Sequence, residues 1–278
     1  MKEMEILFRV SVLVFVIGGM LATGLSLSIW QILDPLKNTK RVILSLVANF
    51  VLVPAIVYGI VTVIPVSEGV RIGLILLSLS AGAPLLPKLV DIAKNSAAFA
   101  IGLMLLLMTV TIFYLPIVLP RLLTDIEVSS WAIAKSLIIL MLTPLLAALF
   151  VKAHYEFLAK RLQPVFAKIN NIALIAISFS LIILHHQNLV TLVGWGLLAI
   201  FLSLLAAMAV GYLLGTLDKD TRIVLCLGTG QRNITAAILV ATQDFNDPEI
   251  ALVIVASTIV GLIIMIPYAA MMAKRASR

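Results

Sequence analysis

Long apolar runs alternate with short polar connections along this chain, and the spacing of that alternation predicts its architecture. The runs fall at about 8–33, 39–64, 69–90, 96–120, 130–153, 165–185, 189–216, 221–243 and 248–273. Each is close to or above the ~20 residues that a helix needs to cross the hydrocarbon of a bilayer. No water solvates the backbone there, so a spanning segment must satisfy its own amides and carbonyls, which selects helix over irregular chain. The pattern predicts an all-α polytopic membrane protein with nine transmembrane helices, in a single domain over residues 1–278. One run departs from it: Gly228-Thr229-Gly230-Gln231-Arg232-Asn233 puts a guanidinium and two amides where a spanning helix should hold hydrocarbon. An arginine at that depth costs about 3 kcal/mol on insertion scales, and it persists where it faces a partner or a watery cavity.

Composition narrows the picture to the membrane. With 62% hydrophobic and 12% charged residues and a mean hydropathy of +1.18, nothing remains to clothe a soluble domain. A net charge of +7 would suit nucleic acid if the basic residues shared a face, but they lie in loops and so report topology. Stretches 37–41, 88–94, 152–168, 219–222 and 274–278 are basic, whereas Glu68, Asp125, Glu127, Asp244, Asp247 and Glu249 mark the opposite side. The bias of Lys and Arg toward cytoplasmic loops places the N-terminus outside and the C-terminus in the cytoplasm of a cell-membrane protein. Residues 1–9 are mixed in charge, and the apolar run after them outlasts the h-region of a signal peptide, so the first segment reads as a span. Cys226 is the single cysteine, which excludes an intrachain disulfide, and the sparse histidines and acids offer no zinc framework.

Two spans differ from the rest and occupy matching places. The third contains Ser80-Ala81-Gly82-Ala83-Pro84-Leu85-Leu86-Pro87, and the eighth contains the 228–233 run. Each precedes a long span with a proline in its second half, Pro116 or Pro267. This predicts a repeat at about 8–120 and about 165–273, separated by an extra helix at about 130–153. The odd helix between the copies inverts the second, an arrangement of secondary transporters in which broken helices meet at a midplane binding site. The simpler alternative is that the prolines kink one helix and the glycines allow close packing in the other. Pro54 and Pro144 fall within spans and predict kinks.

Several of these segments resemble a known family over nearly the whole chain. Asn49-Phe50 followed by Val53-Pro54, Ser80-Ala81-Gly82-Ala83-Pro84 followed by Ala93-Lys94-Asn95, and Gln231-Arg232-Asn233 followed by Thr235-Ala236-Ala237 look like motifs of the bile acid:sodium symporters. The resemblance implies a core domain with two crossed, broken helices, a panel domain that moves against it, and transport of organic anions by alternating access. It also implies that the optional first helix of some members is lacking here.

Departures from the family pattern concern sodium. Leu86, Pro87, Ala100, Met104 and Leu227 stand where sodium-coupled members place side-chain oxygens, and none can ligate a hard cation. A second ion position keeps amide oxygens at Asn49 and Gln231, with backbone near Gly228, so sodium remains the alternative there. Arg232 stands where the family has an asparagine that reaches substrate. It is expected either to grip the substrate carboxylate bidentately or to supply the charge that sodium supplies elsewhere. The remaining expected substrate contacts are Thr229, Gly230, Gln231, Asn233, Ser257, Thr258 and Pro84. Against these stand plainer roles: back-bonding for Ser257 and Thr258, helix gluing for Asn233, and a carbonyl cluster for Arg232. His185 and His186 read as interfacial. No nucleophile and base, carboxylate pair or metal-ligand set falls within the spans, so an enzyme is not expected. A scaffold or receptor would not require broken helices. No motif asks for ATP or another cofactor; the expected partners are a small organic anion and the lipid bilayer.

Overall fold

The computed structural model describes residues 2–28, 37–95, 97–123, 129–184, 192–215, 218–245 and 247–276. These form helices without a strand among them: α1 (Lys2–Ser26), α2 (Thr39–Val63), α3 (Glu68–Leu79), α4 (Leu86–Ile92), α5 (Ala97–Leu122), α6 (Ser130–His154), α7 (Glu156–Leu184), α8 (Trp195–Leu214), α9 (Lys219–Gly230), α10 (Ile234–Asp244) and α11 (Pro248–Ala276). Among the described residues, 8 helical stretches are long and apolar enough to cross a membrane, with α9 and α10 taken together as one. The run predicted at 69–90 instead divides into α3 and α4, of 12 and 7 residues, each too short to span by itself. The run predicted from 165 starts earlier, because α7 begins at Glu156 and carries Pro164 inside it.

Burial separates two kinds of helix. Outer helices turn aliphatic and aromatic side chains away from the protein, as at Phe150, Ile175, Leu213 and Ile263, each more than half exposed. A continuous apolar exterior of this kind suits hydrocarbon and not water. In the α9–α10 stretch, by contrast, 94% of the most apolar window is buried. Helix α9 is enclosed by α8, α4 and α5, and α10 by α11, α3, α1 and α6. On the other side of the molecule α1 lies along α7 and the second half of α6, where Gly24 lets the backbones approach: a Cβ there would stand 2.6 Å from Ala148 Cβ.

Prolines shape α2 and α6 by a shared device. Each helix widens into a π turn just before X-Pro, at Ala48–Leu52 before Pro54 and at Ile138–Leu142 before Pro144. A proline ring crowds the carbonyl four residues back and offers it no N–H, and widening relieves both problems. In α2 the Val53 N–H reaches back to Ala48 O. Phe50 O, which residue 54 would bond in a regular helix, instead accepts from the Tyr114 hydroxyl of α5. Pro54 thus does more than kink: it frees a carbonyl that another helix fills.

Candidate functional site

The first break covers residues 80–85. Ser80 closes α3 by donating its N–H to Leu77 O at 3.1 Å and its hydroxyl to Leu76 O at 2.8 Å. Beyond it the chain leaves the helix, and Thr111 of α5 satisfies Ala81 at both ends, accepting from its N–H at 2.9 Å and donating to its carbonyl at 3.0 Å. Gly82 has φ +83° and lies against the Met104 and Met108 backbone, so an added Cβ would collide with Met108 N.

The second break is shorter than the motif suggests. Gly228, Thr229 and Gly230 remain helical in α9, and only residues 231–233 leave the helix. The two glycines serve packing: a Cβ on Gly228 would meet Leu86 at 3.0 Å and Leu103 at 3.2 Å, and one on Gly230 would meet Met208 Cγ at 2.6 Å. The Cα of Gly228 therefore packs against hydrocarbon. Asn233 then starts α10, accepting the Ala236 N–H on Oδ1 at 3.1 Å. It also joins the two breaks, through its N–H to Ser80 O at 2.8 Å and its Nδ2 to Ala81 O at 3.4 Å.

Arg232 lies where the breaks meet α2. Its Nε donates to Leu77 O at 3.2 Å, and Nη1 to Asn49 Oδ1 at 2.8 Å and Thr229 O at 3.2 Å. Nη2 donates to Asn49 O at 3.4 Å and to Ser78 O. A guanidinium has five N–H groups in a fixed fork, and here each has an oxygen. All five acceptors are neutral. Leu77 and Ser78 close the last turn of α3, and Thr229 lies in the last turn of α9, so two helix C-termini turn their negative dipole ends on this one cation. Asn49 O is open to it because Val53 bonds Ala48 and Pro54 has no N–H. The Asn49 amide is held in turn by donating Nδ2 to Ser45 O at 3.0 Å and to Thr229 Oγ1 at 3.3 Å.

Beside the guanidinium is a cavity of about 50 Å³. Gln231, Arg232, Ser203, Ser257 and Thr258 give it a polar edge, and aliphatic side chains of α2, α3, α8 and α11 form the rest. Thr258 back-bonds to Ile254 O at 2.9 Å, whereas the buried Ser203 and Ser257 hydroxyls have no hydrogen-bond partner among the described residues. At ~30 Å³ per molecule the space suits one or two waters. It is far below the ~300 Å³ of a pocket for a drug-sized ligand. Thus Gln231, Arg232, Ser257 and Thr258 come together, while Asn233 is fully buried in the crossing and Pro84 lies in the turn before α4; neither lines the cavity.

Leu86, Ala100, Met104 and Leu227 pack as buried hydrocarbon within the main core, and Pro87 opens α4. His185 and His186 lie outside the described residues. Thr111, Tyr114 and Ser203 join the site without having been singled out from sequence, since a lone hydroxyl in an apolar helix carries no signal. At one end of the molecule Arg41 of α2 pairs with Asp218 at 2.6 Å. Asp218 also begins α9 by accepting the Thr221 N–H and hydroxyl, each at 2.7 Å. Burial works to raise its pKa, but the Thr221 bonds and the Arg41 charge together hold the carboxyl below the usual carboxylate range.

A larger cavity, of about 420 Å³, opens where α1 and α7 meet α10 and α11. Glu5, Arg9, Thr242, Gln243 and Asp247 line it.

Known proteins resemble this chain in sequence. The uncharacterized sodium-dependent transporter YocS of Bacillus subtilis (strain 168) is 22% identical over 239 residues, which cover 82% of this chain and 72% of that protein. The model of the sodium bile acid symporter family matches residues 12–193, a range that includes the first break and ends before α8. With most of its length matched, the chain belongs to the sodium bile acid symporter family, a family of membrane transporters.

Proposed function

We propose that this protein is a secondary transporter of small organic anions that works by alternating access, with Arg232 standing in for a coupling cation. The observation that carries the reading is the cage: five neutral oxygens, gathered from two broken helices and a π turn, surround one tethered positive charge. Oxygen donors directed at a point are what a hard cation requires. A second cation there would have to displace the guanidinium or be repelled by it in a poorly screened interior. Because the donors are spent on the cage, Arg232 acts on substrate through its field more than through a bidentate grip. The neutral acceptors leave its charge uncompensated, so a carboxylate is drawn to the neighbouring cavity, where Ser203, Ser257 and Gln231 offer hydrogen bonds. That cavity must widen to admit a metabolite, as alternating access would provide.

In this reading α3 and α4 together form one broken span, which brings the crossings to nine. Helices α1–α5 and α7–α11 form the inverted copies, with α6 between them and the N-terminus outside. Both breaks are followed by a long unbroken helix with an internal proline, α5 and α11, which supports the pairing. One observation favours a second reading, ordinary sodium symport through Asn49 and Gln231: the related Bacillus protein is described as sodium-dependent.

Thermal unfolding of the detergent-purified protein with a panel of organic anions, in sodium and in choline, separates the two. The tethered-cation reading expects a ligand that stabilises wild type equally in both salts, and an Arg232→Ala protein that gains a sodium response. Ligand stabilisation that requires sodium in wild type would overturn it.

A further inference from the structure

Asp244 ends α10, the half of the second broken helix that leads from the crossing toward the first turns of α1. Its Oδ2 is buried and has no hydrogen-bond partner among the described residues. This is an adverse place for a carboxylate. The C-terminal end of a helix carries the negative end of the dipole, and a partly buried carboxylate with one oxygen cut off from water and without a partner is pushed toward its neutral form.

The charges carried at this end by the surrounding helices do not relieve it. On α1, Glu3 is exposed and Glu5 pairs with Arg9 at 3.1 Å. On α3, Glu68 pairs with Arg71 at 3.3 Å. Lys135 of α6 is exposed. At the start of α11, Asp247 accepts the Glu249 N–H at 2.8 Å, and both carboxylates lie against Gly69. The nearby arginines are thus engaged by their own neighbours, and α11 adds further negative charge. Thr242, Gln243 and Phe245, on either side of Asp244, line the 420 Å³ cavity between α1/α7 and α10/α11. At ~30 Å³ each, that space takes on the order of ten waters, beside the residues that flank Asp244 along the chain.

We propose that Asp244 is a proton-binding site and that its protonation state gates the cavity between α1/α7 and α10/α11. An O–H bond forms on the carboxylate with a proton from cavity water. The neutral form lets the end of α10 stay packed, and the proton returns to water when α10 and α11 move from α1 and α7. The ionised form draws water in and opens the cavity. The inference rests on the transporter reading but not on the role given to Arg232.

The test uses the purified full chain with Cys226→Ala as background. Leu184→Cys reports on the cavity from α7, and the exposed Trp131→Cys corrects for the reactivity of the thiol itself. The labelling ratio of the two with a hydrophilic maleimide, at about pH 5 and about pH 8, is expected to rise several-fold at the higher pH. That rise should vanish in Asp244→Asn and persist in Asp244→Glu. Infrared difference spectra between the same pH values should show a protonated-carboxyl band that Asp244→Asn removes. A ratio that ignores pH, or a pH response and carboxyl band unchanged by Asp244→Asn, overturns the proposal. Repeating the labelling in sodium and choline separates the failures. A cavity that answers to sodium and not to pH overturns the proton site. A pH response equal in both salts stands whatever the ligand screen says of Arg232.

Discussion

The two breaks pose one physical problem and answer it differently. Each ends a helix inside the protein, far from water, and leaves carbonyls that must find donors. At the first break the donors are neutral and local: Ser80 closes α3, and Thr111 bridges both polar groups of Ala81. At the second, one long side chain reaches back across the crossing and fills carbonyls of both breaks together with one of the α2 π turn. The neutral answer stabilises a shape. The charged answer stabilises a shape and also leaves a fixed positive charge at the crossing, which any ion-coupled transport would feel.

Removing that charge should have the largest effect. Arg232→Ala takes a donor from five acceptors, of which Leu77 O keeps the Ser80 N–H, and each of the others costs about 1–3 kcal/mol when buried unsatisfied. With partial relaxation we expect a loss of about 4 kcal/mol in choline, or on the order of 10 °C in melting midpoint. The loss should be smaller in sodium, which can re-enter the cage. A melting point unchanged in choline would mean that the guanidinium does not hold the crossing together.

The glycines sharpen the contrast next. Gly82→Ala drives a Cβ into Met108 backbone at a positive φ, so about 3 kcal/mol is expected. Gly230→Ala meets Met208 Cγ at 2.6 Å, in an unbranched side chain that can shift, so about 1 kcal/mol is expected. Equal melting shifts for the pair would show that the first break is no more rigid than the second.

Thr111→Val keeps shape and deletes both bonds to Ala81, for about 2 kcal/mol by thermal unfolding. Because it touches only the neutral break, it should not create a sodium response; one that appeared would join the two breaks into a single unit.

Smallest is the Arg41–Asp218 tie. The folded pKa of Asp218 lies below its unfolded value, so its stabilisation is present above about pH 4 and fades as pH falls through the folded value. Both side chains are about one-third exposed, so the effect is modest. A melting curve against pH that keeps the same acid limb in Asp218→Asn would remove the tie from the account.

How much of this was readable from the chain differs by element. The apolar runs located most helices because hydrocarbon leaves the backbone no alternative to helix. Both interruptions were also visible, Pro84 and Gly82 in one and Arg232 in the other. Their extent was not: α9 continues through Gly228 and Gly230, because their lack of a side chain is used to admit Leu86, Leu103 and Met208 and not to unwind the helix. Ser257 and Thr258 were expected as a polar pair, yet Thr258 is spent on its own helix and Ser257 is not. Ser203, in the middle of an apolar helix, gave no sign at all.

Solvent and composition belong to the sequence by itself: a chain this apolar, with its charges confined to connections, must be a helical membrane protein, and an arginine within a span must have an answering group. Which group answers is a property of the tertiary structure. The five oxygens come from residues 3 to 183 positions away, and four of them are backbone carbonyls, a feature every residue possesses and no sequence distinguishes. They become a site only where two helices end, a proline has freed a third carbonyl, and packing brings the three together around one charge.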